Sequence, residues 1–261
     1  MSNEVTLMSV AKSEWIKFRT VRSTIVGVFI FVFLTLGLGV LITWLIRSHW
    51  ATMPIGQKLT FDPVSSSLGG TVFAEFAEGV IGALFISSEY TSGAIRTTLA
   101  AVPNRVRLIL AKLFVLVVSM IIISEIVVVS TFLIGMRIFS GVVPTDSLSN
   151  GAVLRAVLLS GVYLTLLALF SFALGIILRQ SIASISVFVS LLLIVPLLGF
   201  FFPQSWQNHF QKFEPINLGG SMMSVTTKPL NFAPWSAFAV LVIYVAFLLV
   251  LGTTMFSRRD A

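Results

Sequence analysis

Six apolar stretches of about twenty residues each limit what this chain can fold into. A helix that crosses roughly 30 Å of hydrocarbon at about 1.5 Å per residue needs about that length. The stretches run over about 24–46, 71–87, 113–134, 153–178, 182–202 and 234–256. The sequence therefore predicts an all-α, polytopic membrane protein, a single transmembrane domain over 1–261 with six transmembrane helices. Composition agrees. The chain is 57% hydrophobic and 10% charged, whereas soluble domains run at about 45–50% and about 25%. Too few charges remain to cover a soluble surface, which excludes soluble enzymes and nucleic-acid-binding domains as classes. The net charge of +7 then calls for no nucleic acid.

Lysine and arginine collect on the cytoplasmic side of membrane proteins. With a cytoplasmic N-terminus, eleven of the 17 basic residues fall inside: Lys12, Lys17, Arg19, Arg22, Arg96, Arg105, Arg107, Lys112, Arg179, Arg258 and Arg259. Six fall outside: Arg47, Lys58, Arg137, Arg155, Lys212 and Lys228. Both termini are thus expected in the cytoplasm. The first apolar run starts too far in, and is too long, for a cleavable signal. Spans four and five are joined only by Arg179, Gln180 and Ser181, which predicts a tight helical hairpin. The outer segment 203–233 carries Pro203, Pro215 and Pro229 among Trp206, Phe210 and Phe213. It is expected to fold back on the membrane as a short amphipathic helix.

Ahead of the first span, residues 8–22 have helical periodicity. Met8, Ala11, Trp15, Phe18 and Val21 recur at steps of three and four, opposite Lys12, Ser13, Lys17, Arg19 and Thr20. That pattern predicts an amphipathic helix in the headgroup plane, with Lys12, Trp15, Lys17, Phe18 and Arg19 meeting the lipid bilayer.

Carboxylates inside spans are candidates for function, because an ionised one in hydrocarbon costs at least about 2.5 kcal/mol. Glu75 and Glu78 share one face of the second span, in its outer half, where a water-exposed vestibule is expected. Glu125 lies mid-way along the third span, with Ser119, Ser124, Ser130 and Thr131 close in sequence to hydrate it. Three roles are open for these glutamates: lining a substrate pathway, exchanging protons, or tying helices together by hydrogen bonds. Ser171 and Gly175, with Ala168 nearby, form a small face that permits close helix approach, to a second chain or to the adjacent fifth span.

Between spans two and three, the loop 88–108 begins with Glu89 and turns at Gly93. Ile95, Leu99 and Val102 then repeat at helical spacing up to Pro103, before Arg105, Arg107 and Lys112. A short amphipathic helix on the cytoplasmic side results, of a kind that fits a groove on a soluble partner. The run Glu89-x-x-x-Gly93-x-Ile95-Arg96-x-x-Leu99-x-x-x-Pro103-x-Arg105, continuing to Ala111-Lys112, resembles the permease subunit of type-2 ATP-binding-cassette exporters. The opening Ser13-Glu14-Trp15-Ile16-Lys17-Phe18-Arg19 resembles the start of many bacterial members, and the six-span layout agrees. The resemblance implies that the loop is a coupling helix, on which Glu89, Gly93, Ile95, Arg96, Leu99, Pro103 and Arg105 dock an ATPase. Glu89 and Arg96 would hold the loop or contact the ATPase, and Ile95 and Leu99 would fill its groove. It also implies two copies of that ATPase, a second permease chain of the same or homologous sequence, and the bacterial cell membrane.

No G-x-x-x-x-G-K-[ST] stretch occurs, so ATP and its magnesium would belong to the partner, with no cofactor in this chain. There is no cysteine, and His49 and His209 stand apart in loops, so zinc and thiol chemistry have no ligand set. Intramembrane serine or aspartyl proteolysis needs a histidine or aspartates within spans. None is there, since Asp62, Asp146 and Asp260 lie outside them. The chain is expected to be a non-catalytic subunit moving a hydrophobic or amphipathic cargo: a drug, an antimicrobial peptide or a lipid. The alternative is a secondary transporter that couples protons through its intramembrane glutamates.

Overall fold

A computed structural model gives the fold. The structure describes residues 6–226 and 230–258, leaving aside the side chains of Ser205 and Asn208. Lys228, Pro229, Arg259 and Asp260, named above, lie outside the described residues. Helices in chain order are α1 (Leu7–Thr20), α2 (Arg22–Val32), α3 (Gly39–His49), α4 (Ile55–Leu59), α5 (Pro63–Ser67), α6 (Thr71–Thr91) and α7 (Ala94–Ala101). They continue as α8 (Arg105–Phe139), α9 (Gly151–Leu178), α10 (Ser181–Gly199), α11 (Gln204–Phe210), α12 (Pro215–Met223) and α13 (Pro234–Arg258). Among the described residues there is no strand, and six helices are long and apolar enough to cross a membrane. The protein is an all-α polytopic membrane protein.

The first span is α2 continued into α3 through a π-helical turn, Phe33–Leu38. The turn lies against Gly70, where a Cβ would meet the Thr35 carbonyl oxygen at 2.3 Å. Helix α8 is 35 residues long. At about 1.5 Å per residue it reaches some 50 Å, well beyond the hydrocarbon layer, and its overhang at the α1 end carries Lys112. Capping residues mark the starts. Thr6 accepts from the Ser9 N–H ahead of α1, Asp62 from Val64 and Ser65 ahead of α5, Asn104 from Arg107 ahead of α8, and Asn150 from Ala152 ahead of α9.

Helix α9 is the hub. Its apolar window is 83% buried, against 22% for the first and fifth spans and 17% for the sixth. Small residues let α6 lie directly on it. A Cβ on Gly82 would stand 1.9 Å from the Ala168 oxygen, and one on Gly175 would stand 2.6 Å from Ile86. The small face holding Ala168, Ser171 and Gly175 therefore packs within the chain, and its partner is α6 rather than the fifth span. The hairpin from α9 to α10 turns on Arg179, whose φ is +56°. The described residues of segment 203–233 include two α-helices, α11 and α12, with a 3-10 turn at Gln211–Phe213 between them. Of these, α12 buries Leu218, Gly219 and Met222 against α9 and α13, and Gly219 lies on the Tyr163 ring.

Candidate functional site

At the α1 end, three helices meet around four charges. Helix α1 brings Glu14 and Lys17, α6 brings Glu89, and α8 brings Lys112. Lys112 Nζ donates to Glu14 Oε2 at 2.6 Å and to Glu89 Oε1 at 2.7 Å. Lys17 Nζ donates to Glu14 Oε1 and Glu89 Oε1, both at 2.8 Å. The bonds close a ring of alternating sign and zero net charge. Lys112 and Glu14 are shut off from solvent, with side-chain exposures of 1% and 2%, and the Lys112 ammonium also sits 5.1 Å from the Phe85 ring centre. Lys17 is the rim member, 34% exposed. Burial alone lowers its pKa, but the carboxylates of Glu14 and Glu89 outweigh that and hold it above its ordinary 10.5.

The ring turns α1 about its axis from the expected pose. Its buried side is Val10, Ala11, Glu14 and Phe18, because Glu14 must reach Lys112. Of the residues expected at the membrane surface, Lys12, Trp15 and Arg19 are exposed. Phe18 is instead buried edge-on to Phe85, and Lys17 is drawn into the ring.

Helix α7 follows at once. Gly93 links it to α6 with φ +73°, a left-handed conformation that suits glycine. The pattern Ile95, Leu99, Val102 does mark one helix face, but that face points inward. Ile95 is buried to 4% exposure, and Leu99 packs against the core. Ile95 thus fastens α7 to its own bundle and has no surface left for a partner's groove, whereas Leu99 is only partly buried. Glu89, four residues before Gly93 on α6, is turned to Lys17 and Lys112. Arg105 is turned to the Phe256 carbonyl at the end of α13, at 3.1 Å. The outward side of α7 presents Arg96, Thr97, Ala100 and Ala101, with Pro103 exposed beyond them. Between α1 and α7 runs a groove of about 410 Å³. Ser9, Ser13, Thr97 and Thr98 line its walls, with Glu14 and Lys17 at its base.

Glu75 and Glu78 are enclosed rather than open to a vestibule, at 1% and 0% exposure. Ser124 donates to Glu78 Oε1 at 2.8 Å, joining α6 to α8, and the Tyr163 hydroxyl of α9 adjoins Glu75. Glu125 is half-buried and lies over Gly161 of α9, where a Cβ would come 2.5 Å from its Cδ. The hydroxyls near it in sequence are used elsewhere. Ser124 serves Glu78, while Ser119, Ser130 and Thr131 bond to carbonyls of their own helix.

A family model described as a protein of unknown function, DUF2705, matches residues 79–261, well over half of the chain. The chain belongs to the DUF2705 family. No curated protein matches it. The DUF2705 match takes in Glu89, α7, Lys112 and Glu125, and begins after Glu14, Lys17, Glu75 and Glu78. Half of the charge ring therefore lies in the matched region and half on α1. Sequence reasoning missed Glu14 and Lys112 as members of the site. The available signal was an acid on the inner edge of α1's apolar stripe, paired with a lysine just ahead of the apolar run of α8.

Proposed function

We propose that the chain is the membrane-spanning permease subunit of a bacterial ATP-binding-cassette exporter of the type-2 kind, with both termini cytoplasmic. It pairs with a second permease chain and is driven by two copies of a separate ATPase, which bind the ATP and magnesium. The observation that carries this reading is α7. It is a two-turn helix between the second and third spans, pinned by Ile95, and it follows directly on the end of α6, which the Glu14–Lys17–Glu89–Lys112 ring ties to α1 and α8. A partner pressing on Arg96 and Ala100 meets an element joined through Gly93 to α6 and anchored in the core by Ile95. Force on α7 then passes through the Gly93 turn to the end of α6, and from Glu89 there to Lys112 of α8 and Lys17 of α1. The groove between α1 and α7 offers hydroxyls for the edge of such a partner. An apolar pathway with few charges suits a hydrophobic or amphipathic cargo.

The test is co-purification with the ATPase expressed alongside. Arg96→Glu combined with Ala100→Trp changes only exposed positions, so the permease should still fold while the ATPase is lost. Undiminished pairing overturns the docking assignment. A proton-coupled secondary transporter is the second reading, favoured by three carboxyls held among α6, α8 and α9. Transport that follows a pH gradient without nucleotide would establish it in place of the first.

A further inference from the structure

Helix α1 spends Lys17 inward and leaves Lys12 and Arg19 outward, seven residues and so about 10 Å apart along the helix. Trp15 stands between them and is 44% exposed. Among the described residues, neither Lys12 nor Arg19 has an acidic side chain within ion-pair reach. The Trp15 indole forms a ridge between two grooves. One, about 260 Å³, is floored by Ala11, Phe114, Val115 and Val118, with Lys12 in its wall. The other, about 320 Å³, is floored by Phe18, Val28, Phe29 and Ile123, with Arg19 in its wall. The first runs along α8 and the second along α2 and α8, on apolar span surfaces left open by the chain, where Phe114 is 56% and Phe29 71% exposed.

An apolar floor open to lipid, with one unpaired cation beside it, matches one chemistry: an acyl chain ending in an anionic headgroup. We propose that the two grooves flanking Trp15 are binding sites for anionic phospholipid of the adjoining leaflet. An acyl chain lies on each floor, and the phosphate rests against Lys12 in one groove and Arg19 in the other. Zwitterionic lipid fills the same floors but leaves each cation facing a headgroup of no net charge. The site stands independently of any ATPase partner.

Purified full-length protein in detergent is titrated with dioleoyl phosphatidylglycerol or dioleoyl phosphatidylcholine, read by thermal stability and by retained lipid in native mass spectrometry. The expected result is preferential retention of phosphatidylglycerol, at up to two per chain. Each of Lys12→Gln and Arg19→Gln should weaken that preference about fivefold, since a basic residue near an anionic surface contributes about 1 kcal/mol. Arg22→Gln removes an exposed charge outside both grooves and should change nothing. Glycerol 3-phosphate alone should neither stabilise the protein nor be retained. Equal retention of the two lipids overturns the proposal, as does an Arg22→Gln effect matching that of Lys12→Gln. Stabilisation by glycerol 3-phosphate as strong as by the lipid also overturns it, because the acyl grooves would then be irrelevant. The wild-type comparison of the two lipids decides the matter even if a variant is poorly expressed.

Discussion

Lys112 is fully enclosed, yet it is one of the few basic residues on an otherwise apolar helix. Removing one partner of a buried ion pair leaves the other charge stranded, at a cost of about 3–5 kcal/mol. Lys112→Met is therefore expected to lower stability by that order, because Glu14 and Glu89 would keep only Lys17. Adding Glu14→Gln should recover part of the loss. A thermal-unfolding series in detergent on the two single variants and the double variant measures the coupling, and purely additive losses would show that the ring is not a unit. Lys17 sets the pH behaviour. Its folded pKa lies above the unfolded 10.5, so its contribution is fully present below that value. It is lost only as pH rises through the folded pKa. Wild type and Lys17→Met should hence differ by a constant amount from neutral to mildly alkaline pH and converge only in strong alkali. Gly82 is constrained by space alone. A methyl group there runs into the Ala168 carbonyl, so Gly82→Val should force α6 off α9 and abolish a monodisperse elution profile.

At the scale of elements, α7 divides its labour between two faces. Ile95→Ala should cost about 2–5 kcal/mol, the usual range for truncating a buried isoleucine, and should loosen α7 whether or not a partner is bound. Hydrogen exchange over residues 94–101 would register the change. Arg96→Glu should leave that exchange unaltered. The same logic explains α1. Its hydrophobic periodicity was legible, but which edge of the stripe points inward was not. Periodicity counts apolar residues, whereas the pose is set by an acid, Glu14, that needs the buried lysine of another helix. Spacing along the third span misled in a similar way. Ser124 is adjacent to Glu125 in sequence, but neighbours one residue apart point about 100° apart on a helix, which sends Ser124 to Glu78.

For the molecule as a whole, the distribution of burial makes α9 the axis about which the other spans are arranged. The first, fifth and sixth spans bury few of their residues within the chain, so lipid or a second chain must cover their apolar faces. The absence of cysteine allows a clean topology test. Cysteines introduced singly for Arg96 and Lys58 should react with a membrane-impermeant thiol reagent from opposite sides of the bilayer, that at 96 from the cytoplasm. Labelling of both from one side would contradict the six-span path.

What the sequence by itself determined were the spans, their number, the hairpin at Arg179 and the short helix after Gly93. Each of these depends on local hydrophobic length or a local turn, which neighbouring residues decide. Only the tertiary structure decided which faces turn inward. It buried Ile95, Glu75 and Glu78, turned α1 toward Lys112 and packed Gly175 against α6. Those outcomes depend on charges and small residues far apart in the chain, such as Glu14 and Lys112, finding one another across helices. In a chain apolar almost throughout, hydrophobic pattern alone cannot rank one helix face above another, and the few polar side chains make the choice.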